Sequence, residues 1–439
     1  DAARRFAEEV LSVFVVALLL FVTILQIAMP WIMHGFAPGF ADDPLRFDLA
    51  VAMTQITFPY LLFISLVSQL GGVLNALGKF AAAAAAPIIL NLCLITALLG
   101  LSTFVATPGH ALAWGVAIAG AAQFVWLMVA CHRAEFQLCL LRPRMTPRVK
   151  RLLVLILPGA IGAGVVQVNL LIDVVIASML PRGSVSFLYY SDRLNQLPLG
   201  VIGVAVGTAL LPLLSRQLRA GEDGNAMGSM NRAMEFALLL TVPAAAALMV
   251  IPDGIIAVLF ERGAFGAAET HATSRALAAY AIGLPAYVLI KVLGPGFFAR
   301  EDTVTPVKIA ALCVAINLGL NLLLMGPLLH VGIALATAIS AWINVGLLLL
   351  VLRRRGHFRL DARLRRAIPR TLMAAAAMTV AVSLATEALA DFAASDVFAR
   401  GLTLAAVIAI GLAGFAGAAV LFGAARLSDL KRMLDRSSR

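Results

Sequence analysis

Apolar residues in this chain do not alternate with polar ones. They fall in continuous blocks of about 20 to 30 residues, separated by short clusters of proline, glycine and charge. Blocks of that length match helices crossing a ~30 Å hydrocarbon layer and are too continuous for the ~10-residue alternating segments of an outer-membrane barrel. With the clusters as punctuation, the pattern predicts about twelve spans, at 9–33, 48–77, 81–104, 110–131, 151–180, 184–217, 227–251, 272–299, 304–326, 330–352, 367–390 and 399–425. The fold class expected is an all-α polytopic membrane protein.

Composition agrees. Of 439 residues, 62% are hydrophobic and 13% charged, against roughly a quarter charged in soluble domains, which excludes the soluble catalytic folds. The net charge of +11 would suggest nucleic acid in a soluble chain, but its distribution gives another reading. Arg46, Arg182, Arg262, Arg275 and Arg400 fall on one side of the spans and Arg193 and Lys291 within them; the remaining Lys and Arg fall on the side that holds both ends. By the positive-inside rule both ends and the loops 132–150, 218–226 and 353–366 are cytoplasmic. The arginines of 353–355 and 363–370 then read as topology signals beside anionic phospholipid headgroups, and no nucleic-acid partner is expected.

The chain opens at Asp1 without Met and enters an apolar run too long for a signal-peptide core, so it reads as an N-terminally truncated polytopic protein lacking an even number of helices. The expected organisation is four helices in 1–135, a basic linker at 136–150, six helices in 151–352, and two further helices with a tail in 353–439. A faint repeat sets Phe58-Pro59-Tyr60-Leu61-Leu62, a loop at 76–79 and Pro87 against Leu284-Pro285-Ala286-Tyr287-Val288, a loop at 299–303 and Pro306. Same-direction repeats of this kind occur in transporters with two lobes around a central cavity.

Ionisable groups inside apolar blocks carry the candidate chemistry. Arg193 lies about 13 Å inside its span, near the midplane, where an arginine costs roughly 2.5 to 3.5 kcal/mol facing lipid. Ser186, Tyr189, Arg193 and Gln196 recur at helical spacing and lead toward Gly200, Gly203 and Gly207, so this face reads as a cavity wall. A guanidinium there suits a phosphate or pyrophosphate; the alternative is a buried ion pair with Asp173 or Asp192. Lys291 either serves the same cavity or snorkels to the headgroups, and Gly294-Pro295-Gly296 just beyond it is expected to break or kink its helix. Asp173 with Asn317, Asn321 and Thr337 offers either an oxygen site for Na⁺, a proton carrier at Asp173, or interhelical hydrogen bonding.

Enzyme signatures are missing. Gly159-Ala160-Ile161-Gly162-Ala163-Gly164 has the wrong spacing for a dinucleotide loop, the histidines have no HExxH partner, and Cys93, Cys131, Cys139 and Cys313 form no CxxC pair. No bound organic cofactor is expected.

Three stretches, Pro59-Tyr-Leu-Leu-Phe-Ile-Ser-Leu-Val-Ser, Gly183-Ser-Val-Ser-Phe-Leu-Tyr-Tyr-Ser-Asp-Arg-Leu and Lys291-Val-Leu-Gly-Pro-Gly-Phe-Phe-Ala-Arg-Glu-Asp-Thr-Val-Thr-Pro-Val-Lys, closely resemble the MurJ/MviN family. These are lipid II flippases of the multidrug/oligosaccharidyl-lipid/polysaccharide exporter superfamily, and the resemblance runs from about Phe6 to Val351. It implies a two-lobed, fourteen-helix fold of which this chain supplies helices three to fourteen, in the bacterial inner membrane. It implies lipid II as substrate, moved to the periplasmic leaflet by alternating access, with Arg193 at the pyrophosphate, Ser186 beside it, and Lys291 matching a family lysine. In members with a sodium site the pattern matches Asp173, Asn317, Asn321, the backbone at Ile333, and Thr337, and an Asp can stand where this chain has Asn321. Ala374 to Leu389 and Leu402 to Phe422 would supply the apolar groove for the polyprenyl tail. A monomer is expected. The competing readings are a drug exporter or a flippase for another polyprenyl-linked glycan, a membrane enzyme of polyprenyl-phosphate metabolism, and a scaffold.

Overall fold

The computed structural model describes residues 2–136, 138–393 and 397–424, and every long apolar block is a helix. Hydrocarbon offers no partner for a free N–H or C=O, so each span must satisfy its backbone internally. The chain divides into two compact units, Asp1–Gly164 and Val165–Arg439. Among the described residues, eleven stretches are long and apolar enough to cross a membrane.

The first unit contains α1 (Ala2–Ile27), α2 (Met29–Phe36), α3 (Pro44–Thr57), α4 (Tyr60–Ala76), α5 (Phe80–Leu101), α6 (Pro108–Arg133) and the start of α7 (Pro147–Ser178). Two of the expected spans are thus divided. The run at 9–33 ends at Ile27 and resumes as α2, and the run at 48–77 breaks at Phe58-Pro59. Pro30 and Pro59 cannot donate to the carbonyl four residues back, which is the local reason for both breaks. Val67, Leu70, Leu74, Leu127 and Cys131 form this unit's core. Close packing there depends on Gly120, where a Cβ would meet the Tyr60 ring at 2.9 Å.

The basic linker is held along α1 by polar side chains. Cys139 N–H donates to Glu8 Oε1 (3.1 Å), Leu141 N–H to Ser12 Oγ (2.8 Å) and Thr146 Oγ1 to Glu9 Oε2 (2.9 Å). An irregular segment keeps its backbone satisfied in this way without a strand partner.

In the second unit α7 continues to Ser178, followed by α8 (Ser184–Pro198), a π-helical turn (Leu199–Gly203) and α9 (Val204–Arg219). Next come α10 (Asp223–Val250), α11 (Pro252–Phe260), α12 (Ala267–Phe298), α13 (Val304–Leu328) and α14 (His330–Arg354). The final helices are α15 (Ala362–Ala388), the single turn α16 (Ala390–Ala393) and α17 (Val397–Leu421). The expected span at 151–180, which is not among those eleven, is α7, of which Gln167–Ser178 is an apolar segment. The glycines at 159 and 162 lie in α7 outside the residues whose side chains are described.

Helix α12 is the hub. It packs against α8, α10 and α14, and Leu277, Leu284, Val288, Val292 and Leu293 are fully or almost fully buried. The break expected at Gly294-Pro295-Gly296 is absent, since α12 runs through to Phe298. These residues serve close packing instead: a Cβ at Gly296 would meet Met230 Cε of α10 at 2.7 Å. Helix α11 was not legible in the loop that joins α10 to α12.

Candidate functional site

Gly183 sets the direction of α8. Its φ of +95° lies in the left-handed region that favours glycine, and a Cβ there would strike the Phe187 ring at 2.6 Å. From this start the period of α8 places Ser184, Leu188, Ser191, Leu194 and Asn195 inward, while Ser186, Tyr189, Arg193 and Gln196 remain exposed. The four expected cavity residues therefore share one face of one helix.

On that face Arg193 Nη2 donates to Tyr189 Oη at 3.0 Å, and the guanidinium carbon stands 4.9 Å from the ring centroid. Tyr189 is one turn back, so it aims the guanidinium without neutralising it. The ion pair entertained from sequence is not formed: among the described residues no carboxylate lies within 4 Å of Arg193. Asp192 instead accepts a hydrogen bond from Gln196 Nε2, and Asp173 bonds elsewhere. This Asp192–Gln196 pair was missed in the sequence, although its spacing of four was a signal.

Lys291 projects from α12 beside the glycines that follow the π turn. A Cβ at Gly203 would lie 3.6 Å from Lys291 Cγ, and one at Gly207 would lie 3.4 Å from the Lys291 carbonyl. The absence of side chains at 203 and 207 is what admits α12 there. Among the described residues no hydrogen bond joins Lys291 to Arg193.

The second cluster is buried and closes into a ring of α7, α13 and α14. Asn321 Nδ2 donates to Asp173 Oδ1 (2.7 Å) and to Asn317 Oδ1 (2.9 Å). Asn317 Nδ2 donates to Thr337 Oγ1 at 3.3 Å; that hydroxyl lies 3.4 Å from Asp173 Oδ2 and 3.0 Å from the Ile333 carbonyl. Asn317 and Asn321 are 1% and 0% exposed, and Asn321 Oδ1 is buried without a hydrogen-bond partner. One carboxylate, two amide oxygens, a hydroxyl and a backbone carbonyl are donor types that suit a small hard monovalent cation, the unpartnered Asn321 Oδ1 among them. The ring also satisfies most of its polar atoms by itself.

Beside these lies an apolar cavity of about 420 Å³ between α10, α12, α14 and α15, lined by Val242, Met249, Ile282, Trp342, Leu372 and Ala375 among others. It is bounded by residues 368–379 of α15 and by none of α17, so the expected groove surface at Leu402 to Phe422 forms no part of this cavity.

At the charged end of this unit, Arg232 pairs with Glu235 and Asp361, and Arg363 with Glu235. Asn231 closes the contact, donating to the Arg359 carbonyl at 3.0 Å and accepting from Asp361 N–H at 3.2 Å. Sequence alone offered Arg363 only as a topology signal. Arg355 similarly pairs with Asp302 in the loop before α13. Hydrogen bonds from Thr305, outweighing partial burial, and the Arg355 guanidinium hold the Asp302 carboxyl at about 2. That is below its unfolded value of about 4, so the contact is at full strength above pH ~4 and is lost as pH falls from ~4 toward ~2. Protection of residues 299–304 from hydrogen exchange, relative to the intrinsic rate at each pH, should fall across that window. In Asp302→Asn it should be low at every pH; a wild-type profile with no step would refute the assignment.

Comparison with known proteins shows the family. The family model described as "Lipid II flippase MurJ" matches residues 1–403. A probable lipid II flippase MurJ of Rhizobium meliloti (strain 1021) is 45% identical over 100% of this chain and 83% of its own length. The lipid II flippase MurJ of Burkholderia cenocepacia is 35% identical over 82% of this chain and 70% of its own. Among solved structures, "Lipid II flippase MurJ, inward closed conformation" aligns with a TM-score of 0.80 at 25% identity, covering 95% of this chain and 84% of that one. A multidrug resistance MATE family transporter in an inward-facing conformation aligns with a TM-score of 0.65 at 13% identity, over 80% of this chain and 87% of that one, a likeness of fold alone.

Proposed function

Because the chain belongs to the lipid II flippase MurJ family, transporters and not enzymes, we propose that it carries lipid II across the bacterial inner membrane by alternating access, with Arg193 receiving the pyrophosphate. The observation that carries this reading is the exposed guanidinium on the polar face of α8, which among the described residues has no carboxylate within 4 Å. A planar fork of donors suits a pyrophosphate and repels the amphipathic cations of a drug exporter. Ser186 and Gln196, exposed on the same face, offer hydrogen bonds to the head group, and Lys291 adds a second cation from α12.

The polyprenyl tail stays in apolar surroundings, and the cavity at Leu372 and Ala375 supplies such a surface. Asp173, Asn317, Asn321, Ile333 and Thr337 would hold a coupling cation, which supplies a positive charge beside the Asp173 carboxylate. Binding of Na⁺ or of a proton at Asp173 are the two coupling choices. Membrane potential biases any step that moves charge, by about 2.3 kcal/mol per elementary charge per 100 mV. Both chain ends are assigned to the cytoplasm by the positive-inside rule.

Native mass spectrometry of the full-length protein against lipid II mixed with ordinary phospholipids tests the binding step. Selective retention of lipid II, weakened in Arg193→Ala, is expected. Equal retention of every lipid by both proteins would remove Arg193 from substrate recognition.

A further inference from the structure

The two helix breaks of the first unit carry the same short pattern, Gln-Ile-x-x-Pro followed by an aromatic residue. Gln26-Ile-Ala-Met-Pro30-Trp31 spans the end of α1, and Gln55-Ile-Thr-Phe-Pro59-Tyr60 spans the end of α3. In each, proline stands four residues after glutamine, so it removes the N–H that would have bonded the glutamine's own carbonyl. Each glutamine carbonyl is thus deprived of its helical donor by a proline in its own helix.

The two sites complete one another. Gln26 Nε2 donates to the Gln55 carbonyl at 2.9 Å, and Gln55 Nε2 donates to the Gln26 carbonyl at 3.1 Å. Each side chain supplies the other helix with the bond its proline took away. Both glutamines are half-buried, within apolar stretches where lipid gives an open carbonyl no substitute. The exchange also ties the breaks together, because one helix cannot shift at its break without withdrawing the donor that the other needs.

We propose that Gln26 and Gln55 are positioning residues that join the α1–α2 and α3–α4 breaks into one shared hinge, so that the two turn together during transport. The role in transport rests on the flippase reading; the coupling of the breaks does not. Pro285 marks the contrast, since α12 passes through it without interruption.

The pairing predicts a crossed pattern of rescue in the full-length protein. Gln55→Met leaves the Gln26 carbonyl open and should speed amide exchange at both breaks by about tenfold. Adding Pro30→Ala restores the missing N–H in that helix and should reverse the effect. Adding Pro59→Ala should not. Gln26→Met should be rescued by Pro59→Ala and not by Pro30→Ala. Single variants with unchanged exchange, or rescue by either proline substitution alike, would overturn the clasp.

The combined Pro30→Ala, Pro59→Ala protein should keep its melting temperature while moving lipid II into the outer leaflet of proteoliposomes at least about tenfold more slowly. Transport at the wild-type rate would reduce the clasp to a structural staple and overturn the hinge. A wild type that moves no lipid II would instead refute the flippase reading, and the exchange pattern would still decide whether the breaks are coupled.

Discussion

Replacing Arg193 with alanine should slow lipid II flipping by roughly ten- to a hundredfold and leave thermal stability almost unchanged. Charge-assisted hydrogen bonds to an anion are worth about 1.5–3 kcal/mol each, which sets that range. Stability is spared because Arg193 is exposed and its described bond is to Tyr189, one turn back on the same helix. Arg193→Lys separates charge from geometry. Lysine keeps the charge and loses the fork, so its rate should fall between those of the wild type and the alanine variant. The measurement is the accessibility of fluorescent lipid II in proteoliposomes of the full-length protein. An alanine variant as fast as the wild type would end the pyrophosphate role.

The second large effect is expected at Asn321. Changing it to Asp puts a second carboxylate where the amide now donates to Asp173 Oδ1. Without a cation the two acids face each other in a buried site, and the melting temperature should drop by several degrees. Sodium should restore it, because a ligand bound only by the folded state stabilises by RT ln(1 + [L]/Kd), about 2.7 kcal/mol at a hundredfold excess over Kd. The wild type, with one carboxylate and its amide ring already closed, should respond far less to the same salt. Potassium in place of sodium serves as the control. A variant equally stable in both salts, and no more sodium-sensitive than the wild type, would argue against any cation at this ring.

Much of the fold was legible because lipid leaves few choices. A long apolar run must be helical, and its ends announce themselves as charge, so the expected spans agree with the helices to within several residues. Proline was the misleading letter. The same residue breaks the chain at Pro59, and lies inside an uninterrupted helix at Pro285 and again at Pro295, between two glycines. At Pro30 and Pro59 the carbonyl that lost its donor is met by a glutamine 29 residues away, a partner that no local pattern announces. The site divides along the same line. Asn317 and Asn321 share a face by their spacing, and Arg193 stands out by its depth. The ion-pair partners Glu235 of Arg363 and Arg232 of Asp361 lie more than a hundred residues away, and no local pattern encodes them.

The wide turn at Leu199–Gly203 has a consequence for how the whole 184–219 stretch is read. A π turn consumes one residue more than the helix around it, so every later side chain is advanced by about 100° relative to a uniform count. Gln196 and Gly203, expected from sequence to share a stripe, end up with one exposed and the other buried against Lys291. The slip gives a single rod two working surfaces, an upstream face open to polar solutes and a downstream face locked to α12. A uniform helical count that runs straight through residue 199 places each later position about 100° from where it lies.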